Sequence, residues 1–437
     1  MSGTSMDGID AALLRTDGKI NIQEVGFAAL KYDPQFQILM KAAEYSVRKY
    51  QGDVTQAKKD YQNALYEYLE NELNIAPTAI AQKISELNNY LHHNKTTEIT
   101  FDDVEIFSTK LHAEIIKSLL QQTNYRSEQI DIIGYHGQTL FHRPAHRITI
   151  QMGDGKLLAE LTGIAVINNF RQRDIAAGGQ GAPFAPLYHQ ALAIRDNKLP
   201  MAVVNCGGIS NITIITGKAH DQVIGFDTGA GNGLIDRLIK QRTHSHEMMD
   251  FDGKYGLGGK VHNDILQKLY QNAVIVEGGD FFEIKPPKAL DIGDLNLIPE
   301  LETLSLEDAC ATLEAFTADN IVRALDYIDA KQFPTYWVLA GGGWHNPVIL
   351  RELKQRIEKK IGSQVEVNTA DNIGWNSQAL EAQIFAYFAV RSLQGLAISV
   401  PGTTRVPYPL TGGCAYVPEK GATSAVNEML RENSLLS

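Results

Sequence analysis

Apolar residues fall in short runs that end in glycine-rich turns and give way to helical spacing, the alternation of an α/β protein. The chain opens with MSGTSMDG and runs into an apolar strand from Ile9 to Leu14. From about Pro34 to Leu91 the pattern is helical, with Leu65, Tyr68 and Leu69 forming one apolar face in a charged background. The polar stretch HHNKTTEIT separates this region from a further helix around Leu111 to Leu120. Strands resume with IDIIGYH at 130–136, ITIQ at 148–151 and IAVIN at 164–168.

A glycine-rich loop (174–183) then leads into a helix through Ala193. AVVNCGGISNITII reads as a hairpin, with strands at 202–206 and 211–215 around a two-glycine turn. GFDTGAGN follows as a glycine loop and opens a helix near Leu234. WVLAGGGWHNP gives a strand at 337–340, three glycines and a helix from near Asn346. VEVN at 365–368 is a last strand, and Asn376 is placed to cap a helix running to about Leu393. Both halves begin with a strand, a glycine turn and another strand, around Gly3 and around Gly207, which suits a duplicated lobe.

A chain of 437 residues is long for one core and comfortable for two domains. The 44% hydrophobic and 21% charged content is that of an ordinary soluble protein. A net charge of -11 argues against non-specific attraction to nucleic acid or an anionic membrane, so an anionic substrate has to be met by a few local cations. Cys206, Cys310 and Cys414 lie far apart with no CxxC pair, which disfavours a zinc site or disulfide framework and suits a reducing cytosol. The first residues lack a signal-peptide pattern and no stretch is apolar enough to span a bilayer, so the expectation is a cytoplasmic protein.

Phosphate recognition needs close approach of backbone N–H groups, which glycine permits. Three segments offer it: GTSMDG (Gly3 to Gly8), GFDTGAGNG (Gly225 to Gly233) and GGG (Gly341 to Gly343). The first two carry Asp7 and Asp227, carboxylates suited to a magnesium-bound nucleotide. One such segment alone reads as a tight turn, whereas three beside predicted strands point to phosphate. Neither GxxxxGK[ST] nor a helix-opening GxGxxG occurs, which disfavours P-loop and dinucleotide-binding enzymes.

FRQRDIAAGGQGAP places Asp174 after a buried-type strand, where a carboxylate at the strand end serves as a general base. On composition alone, a surface salt bridge to Arg171 or Arg173 is the stronger reading. The spacing of His136, His142 and His146 matches no zinc pattern, and His136 suits core packing or a hydrogen bond. His244 and His246 fall in a polar loop. GGGWHNP reads as a helix entry with His345 or Asn346 near the cap, or as a glycine backbone on which an adenine ring lies.

Taken together, GTSMDGID, HGQT with HRP, TIQMGD, RQRDIAAGGQGAP, NCGGISN, GFDTGAGN and GGGWHN resemble, in order, the motifs of the anhydro-N-acetylmuramic acid kinase family. That family belongs to the sugar kinase, actin and heat-shock-protein fold group. The resemblance implies two actin-like (ribonuclease H-like) α/β lobes with a nucleotide cleft between them. The expected domains are residues 1–198 and 199–437, with the last helix crossing back to the first lobe. The implied reaction uses ATP and Mg2+ to open the 1,6-anhydro ring with water and phosphorylate the 6-oxygen, giving N-acetylmuramic acid 6-phosphate in peptidoglycan recycling. Asp174 matches the catalytic aspartate. Gly3, Thr4, Ser5, Met6, Asp7 and Gly8 match the first phosphate segment, and Gly207, Gly208, Asp227, Thr228, Gly229, Gly231 and Asn232 the second. Gly341, Gly342, Gly343 and Asn346 would flank the adenosine, and His136, Gln138, Arg171 and Gln180 would meet the substrate. Asp7 and Asp227 would hold magnesium, partly through water. The partners implied are an amino sugar, ATP and a second copy of the chain. The family places a few apolar residues ahead of its GTS motif, where only Met1 and Ser2 stand here, and Cys206 and Ala230 replace commoner residues. The alternatives are a kinase of another sugar on the same fold and a non-catalytic nucleotide-binding paralogue.

Overall fold

In the computed structural model, which describes residues 1–3, 6–92, 98–276 and 279–432, the chain gathers into two units. One collects Met1–Phe184, Gln378–Val400 and Val406–Ser437, the other Ala185–Ser377 and Pro401–Arg405.

In the first unit the expected strand Ile9–Leu14 lies inside a longer one, Gly8–Thr16, paired antiparallel with Ile22–Lys31. Met1 and Asp10 exchange backbone hydrogen bonds of 2.9 and 2.8 Å. Ile133–Tyr135 runs parallel to Val166–Asn168, which takes Cys414–Tyr416 antiparallel on its other side. A third pair joins Gln138–Arg143 to Ile148–Met152. Among the described residues these are three separate sheets.

The helical region is borne out. Pro34–Lys49 starts where Asp33 accepts the Gln35 N–H and proline fixes the first turn. Val54–Lys59, Tyr61–Glu67, a π turn and Pro77–His92 follow. Leu65, Tyr68 and Leu69 are buried in one cluster with Phe36, Leu39 and Phe101. Part of the polar stretch, 93–97, lies outside the described residues. The next helix begins at Phe101, well ahead of Leu111, because Thr100 and Asp103 form a reciprocal capping box there.

In the second unit five strands lie in the order Glu366–Thr369, Tyr336–Ala340, Met201–Cys206, Ile209–Ile215, Val223–Ala230. The first three pair in parallel and the last three antiparallel. This is the ribonuclease H-like sheet of an actin-like lobe. Met201–Cys206 is central and buried at every position but Asn205, which explains its nearly unbroken apolar run. Trp337, Phe226 and Phe316 fill the core between this sheet and the helices Gly233–Arg242, Leu306–Arg323 and Pro347–Ile361.

Two expectations are corrected. Most of GFDTGAGN is strand, because pairing with Ile209–Ile215 continues past a bulge as far as Ala230. Asn376 does not cap the late helix, which starts at Leu380 behind Ala379. Asp371 accepts both the N–H and the hydroxyl of Ser377, closing a turn that delays the helix. Among the described residues no helix is long and apolar enough to cross a membrane.

Phe36 is fully buried, with the Tyr32 and Phe107 rings each 5.0 Å away. Phe36→Ala should therefore cost about 3–5 kcal/mol in denaturant titration. Ile20→Ala, at a 48% exposed site, should stay within about 0.5 kcal/mol.

Candidate active site

Asp174 lies beyond the strand end, in a short helix, Gln172–Ala176, that follows Val166–Asn168. At 2% exposure it is no surface salt-bridge partner. The helix returns through the glycine loop so that the Gly181 N–H donates to Asp174 Oδ1 at 2.6 Å and the Gly179 N–H to its carbonyl at 2.9 Å. The Arg171 guanidinium is fixed beside it, giving Nε–H to His136 Nε2 at 3.1 Å and Nη1–H to the Gly181 carbonyl at 2.5 Å. It also lies over the Phe184 ring, 5.1 Å from the centroid. His136 completes the arrangement from Nδ1, 3.0 Å from the Gly137 carbonyl. Burial, and then the Arg171 charge, hold this imidazole well below its ordinary range, so it is neutral and accepts from Arg171. Gln180 Oε1 is buried with no hydrogen-bond partner among the described residues.

Beside this group a cavity of about 290 Å³ is lined by Lys58, Glu105, His136, Gln151, Asn168 and Gln172, with Phe101 and Tyr416 as apolar walls. Asn168 Oδ1 is another buried acceptor without a partner among the described residues. Gln138 is fully buried. Its Oε1 accepts from Ser2, whose hydroxyl also reaches the Gly8 carbonyl at 3.0 Å, so Gln138 supports the chain at Ser2 and, through it, at Gly8. Met6, 1% exposed, anchors the segment in the core, whereas Asp7 is exposed. Thr4 and Ser5 lie outside the described residues.

In the second unit three glycine segments converge on one hairpin turn. The Gly207 carbonyl accepts the Asn232 N–H at 2.7 Å, and the Gly208 carbonyl accepts those of Gly231 and Gly233 at 3.0 Å each. A Cβ on Gly231 would strike the Gly207 carbonyl, so only glycine fits there. Gly341 approaches from the third segment, where a Cβ would stand 2.5 Å from both Asn205 Oδ1 and the Cys206 carbonyl. Gly343 packs on the Cys206 thiol, and Gly342 faces open space. Thr228 is turned inward, 2.6 Å from Ser210 Oγ, and Gly229 packs against Asn320. Asn346 caps Pro347–Ile361 as expected, accepting from Val348 and Ile349 at 2.9 and 3.3 Å.

Asp227 is clamped by its backbone neighbours. Its N–H donates to the Lys288 carbonyl at 2.9 Å, and its Oδ2 accepts from Leu290 at 2.8 Å. It forms no ion pair among the described residues. Burial pushes its carboxyl up to about 7. The Lys288 ammonium is turned elsewhere, onto the Phe281 carbonyl at 3.0 Å and over the Phe281 ring, 4.2 Å from the centroid.

A family model described as anhydro-N-acetylmuramic acid kinase matches residues 50–418. Three relatives of that name come from Rhizorhabdus wittichii, Nitrobacter winogradskyi and Rhodospirillum rubrum. They are 37%, 36% and 38% identical over 418, 421 and 414 residues. The alignments cover 96%, 96% and 94% of this chain and 98%, 98% and 92% of those proteins. The chain belongs to the anhydro-N-acetylmuramic acid kinase family. Kinases of this family use ATP.

Sequence reasoning missed several charged groups of this family member. Glu381 and Asp10 are electrostatic neighbours of each other, and Glu381 also of Arg171; burial raises both carboxyls. Asp236, in the first turn of the helix after GFDTGAGN, is pushed up by burial to about 6. Its place directly behind a phosphate motif was the available signal. Lys288 gave none, because a lysine beside two prolines reads as an exposed turn.

A carboxyl raised in the folded state contributes stability that is lost as pH rises through its folded value. For Asp227 that value is about 7. Since the unfolded carboxyl ionises at about pH 4 and the folded one at about pH 7, Asp227→Asn should lack this loss, so its melting temperature should gain on the wild type between about pH 4 and about pH 7.

Proposed function

We propose that this chain opens the 1,6-anhydro ring of anhydro-N-acetylmuramic acid with water and transfers the γ-phosphoryl group of ATP to the released 6-oxygen. The observation that carries the reading is the buried Asp174 carboxylate, oriented by the Gly181 N–H in the group that shares His136 and Gln172 with a cavity of about 290 Å³. That volume stands at the lower end of the small-molecule range, about 300–1,000 Å³, which suits a single sugar ring. The unmatched acceptors Gln180 Oε1 and Asn168 Oδ1 suit hydroxyl or amide donors.

In this reading Asp174 takes a proton from a water as its oxygen attacks the anomeric carbon. The bond from that carbon to the 6-oxygen breaks, and the 6-oxygen attacks the γ-phosphorus as ADP leaves. The Gly181 N–H keeps Asp174 aimed, and neutral His136 keeps Arg171 in place beside it. In the second unit the backbone around Gly207, Gly231 and Gly341 receives phosphate and adenosine without side-chain obstruction. Asp227 fits a hard divalent cation, being a carboxylate in a desolvated place with no ion-pair partner among the described residues. Magnesium, when bound, neutralises phosphate charge in transfer; Asp227 would hold it, partly through water, and Asp7 is the carboxylate the first unit would offer such an ion. The reading extends to a cytoplasmic homodimer. Its support is the family resemblance and, for the cytoplasm, three cysteines outside any disulfide among the described residues.

Incubation with ATP, magnesium and the anhydro sugar should give a product heavier by one water and one phosphoryl group. Addition of the phosphoryl group alone would make the chain a plain sugar kinase, and ATP binding without product would favour the non-catalytic reading. Asp174→Asn should lower turnover by about a hundredfold or more while ADP affinity stays near wild type. A variant that kept most of its activity would remove Asp174 from the role of base.

A further inference from the structure

Glu314 stands in the middle of the helix Leu306–Arg323 and is wholly buried, where the neighbouring positions carry Leu313, Ala315 and Phe316. A carboxyl at such a position is costly unless both oxygens are matched. One is. Glu314 Oε1 accepts from Asn346 Nδ2 at 2.6 Å, while Asn346 Oδ1 caps the helix Pro347–Ile361. The Asn346 amide is thus fixed from both ends, in the turn of chain directly after Gly341–Gly343.

The other oxygen is not matched by any donor. Glu314 Oε2 has no hydrogen-bond partner among the described residues and lies against the Cα of Gly256, where any Cβ would collide with it. The carboxyl it faces is Asp250, 6% exposed, whose two oxygens already accept the N–H groups of Tyr255 and Gly256 at 2.8 and 3.0 Å. Two buried carboxyls in contact do not both ionise. Asp250 already accepts two backbone N–H groups whereas Glu314 Oε2 accepts none, so the proton between them is placed on Glu314.

We propose that Glu314 is a positioning residue for the nucleotide: neutral, it donates its proton to Asp250, accepts from Asn346, and so fixes the helix start behind the Gly341–Gly343 turn. The role rests on reading that turn as the adenosine-flanking segment. The groups that face Glu314 are Asp250 from the preceding loop, Arg351 from the helix Pro347–Ile361 and Cys310 one turn back on its own helix. Burial, and then Asp250, push Glu314 up to about 8, with the Asn346 hydrogen bond and, less strongly, Arg351 opposing. The latch is therefore present at neutral pH and released as pH rises through that value.

Nucleotide binding by calorimetry, with KM for ATP and kcat, tests the role across pH. Between about pH 7 and about pH 9 the wild type should lose ADP affinity by about threefold or more, with KM for ATP rising and kcat at saturating ATP changing less. Glu314→Gln carries a permanent donor for Asp250 and keeps an acceptor for Asn346, so its affinity should match the wild type at pH 7 and remain flat to pH 9. Glu314→Ala should bind ADP more weakly throughout. A Glu314→Gln protein that retains the wild-type pH profile overturns the role, as does a folded Glu314→Ala protein with unchanged affinity. Wild-type binding that is insensitive to pH overturns this role alone. A wild type that binds no nucleotide at any pH overturns the adenosine reading and the role with it.

Discussion

The second unit is organised by the approach of backbone to backbone at the turn Cys206–Gly208. Gly231 and Gly341, more than a hundred residues apart in the chain, both come against this turn, and neither has room for a Cβ at its point of contact. Hydrogen bonds from Gly231, Asn232 and Gly233 to Gly207 and Gly208 fix the geometry. The central strand Met201–Cys206, packed on both faces, delivers the turn to its place. The sheet order, the helix beginning at Gly233 and the helix capped by Asn346 all follow from keeping that junction closed. Open ground is left at Gly342 alone of the three clustered glycines, and this is what a flat or phosphorylated ligand needs.

The first unit solves a different problem, holding one carboxylate in a defined attitude inside the fold. Its means are a short helix, a glycine loop that returns one N–H to Asp174, and a relay from Arg171 to His136 in which every polar atom has a fixed sense. The neutrality of His136 is part of the device, since a charged imidazole would push the guanidinium away. One unit thus presents bare backbone and the other a buried carboxylate, the two kinds of surface that the proposed phosphoryl transfer and water activation would separately require.

Periodicity made the second unit's sheet legible, because its strands are short apolar runs punctuated by glycine. The helical region 34–92 was legible for the same reason, its buried positions recurring at helical spacing. The extent of GFDTGAGN was not. A glycine-rich run reads as loop, and only pairing with a distant strand makes it sheet. Asn376 misled because Asp371 supplies a competing turn. Asp174 carried a plausible motif, yet charge composition favoured a surface ion pair, and burial decided the matter. Glu314 and Lys288 were invisible in principle. A charged residue among apolar neighbours announces itself as exposed; the partner of Glu314, Asn346, lies far along the chain, and Lys288 draws one of its rings, Tyr327, from as far, while Phe281 and Phe282 are near in sequence but joined to it by an irregular loop.

Two of the tight glycines of the second unit, Gly231 and Gly256, differ in how they constrain divergence. Gly231 is held against the carbonyl of Gly207, an atom present whatever residue occupies position 207. No second substitution relieves that clash, so the position is closed to drift unconditionally. Gly256 is held against the carboxyl of Glu314, the far end of a side chain. A shorter residue at 314 would release it, so the freedom of position 256 is conditional on a partner fifty-eight residues away. Lineages that exchanged the buried acid for something smaller would be free to alter position 256 afterwards. Having done so, they would find the return path blocked, which makes the acid latch a one-way commitment in the history of such a sequence.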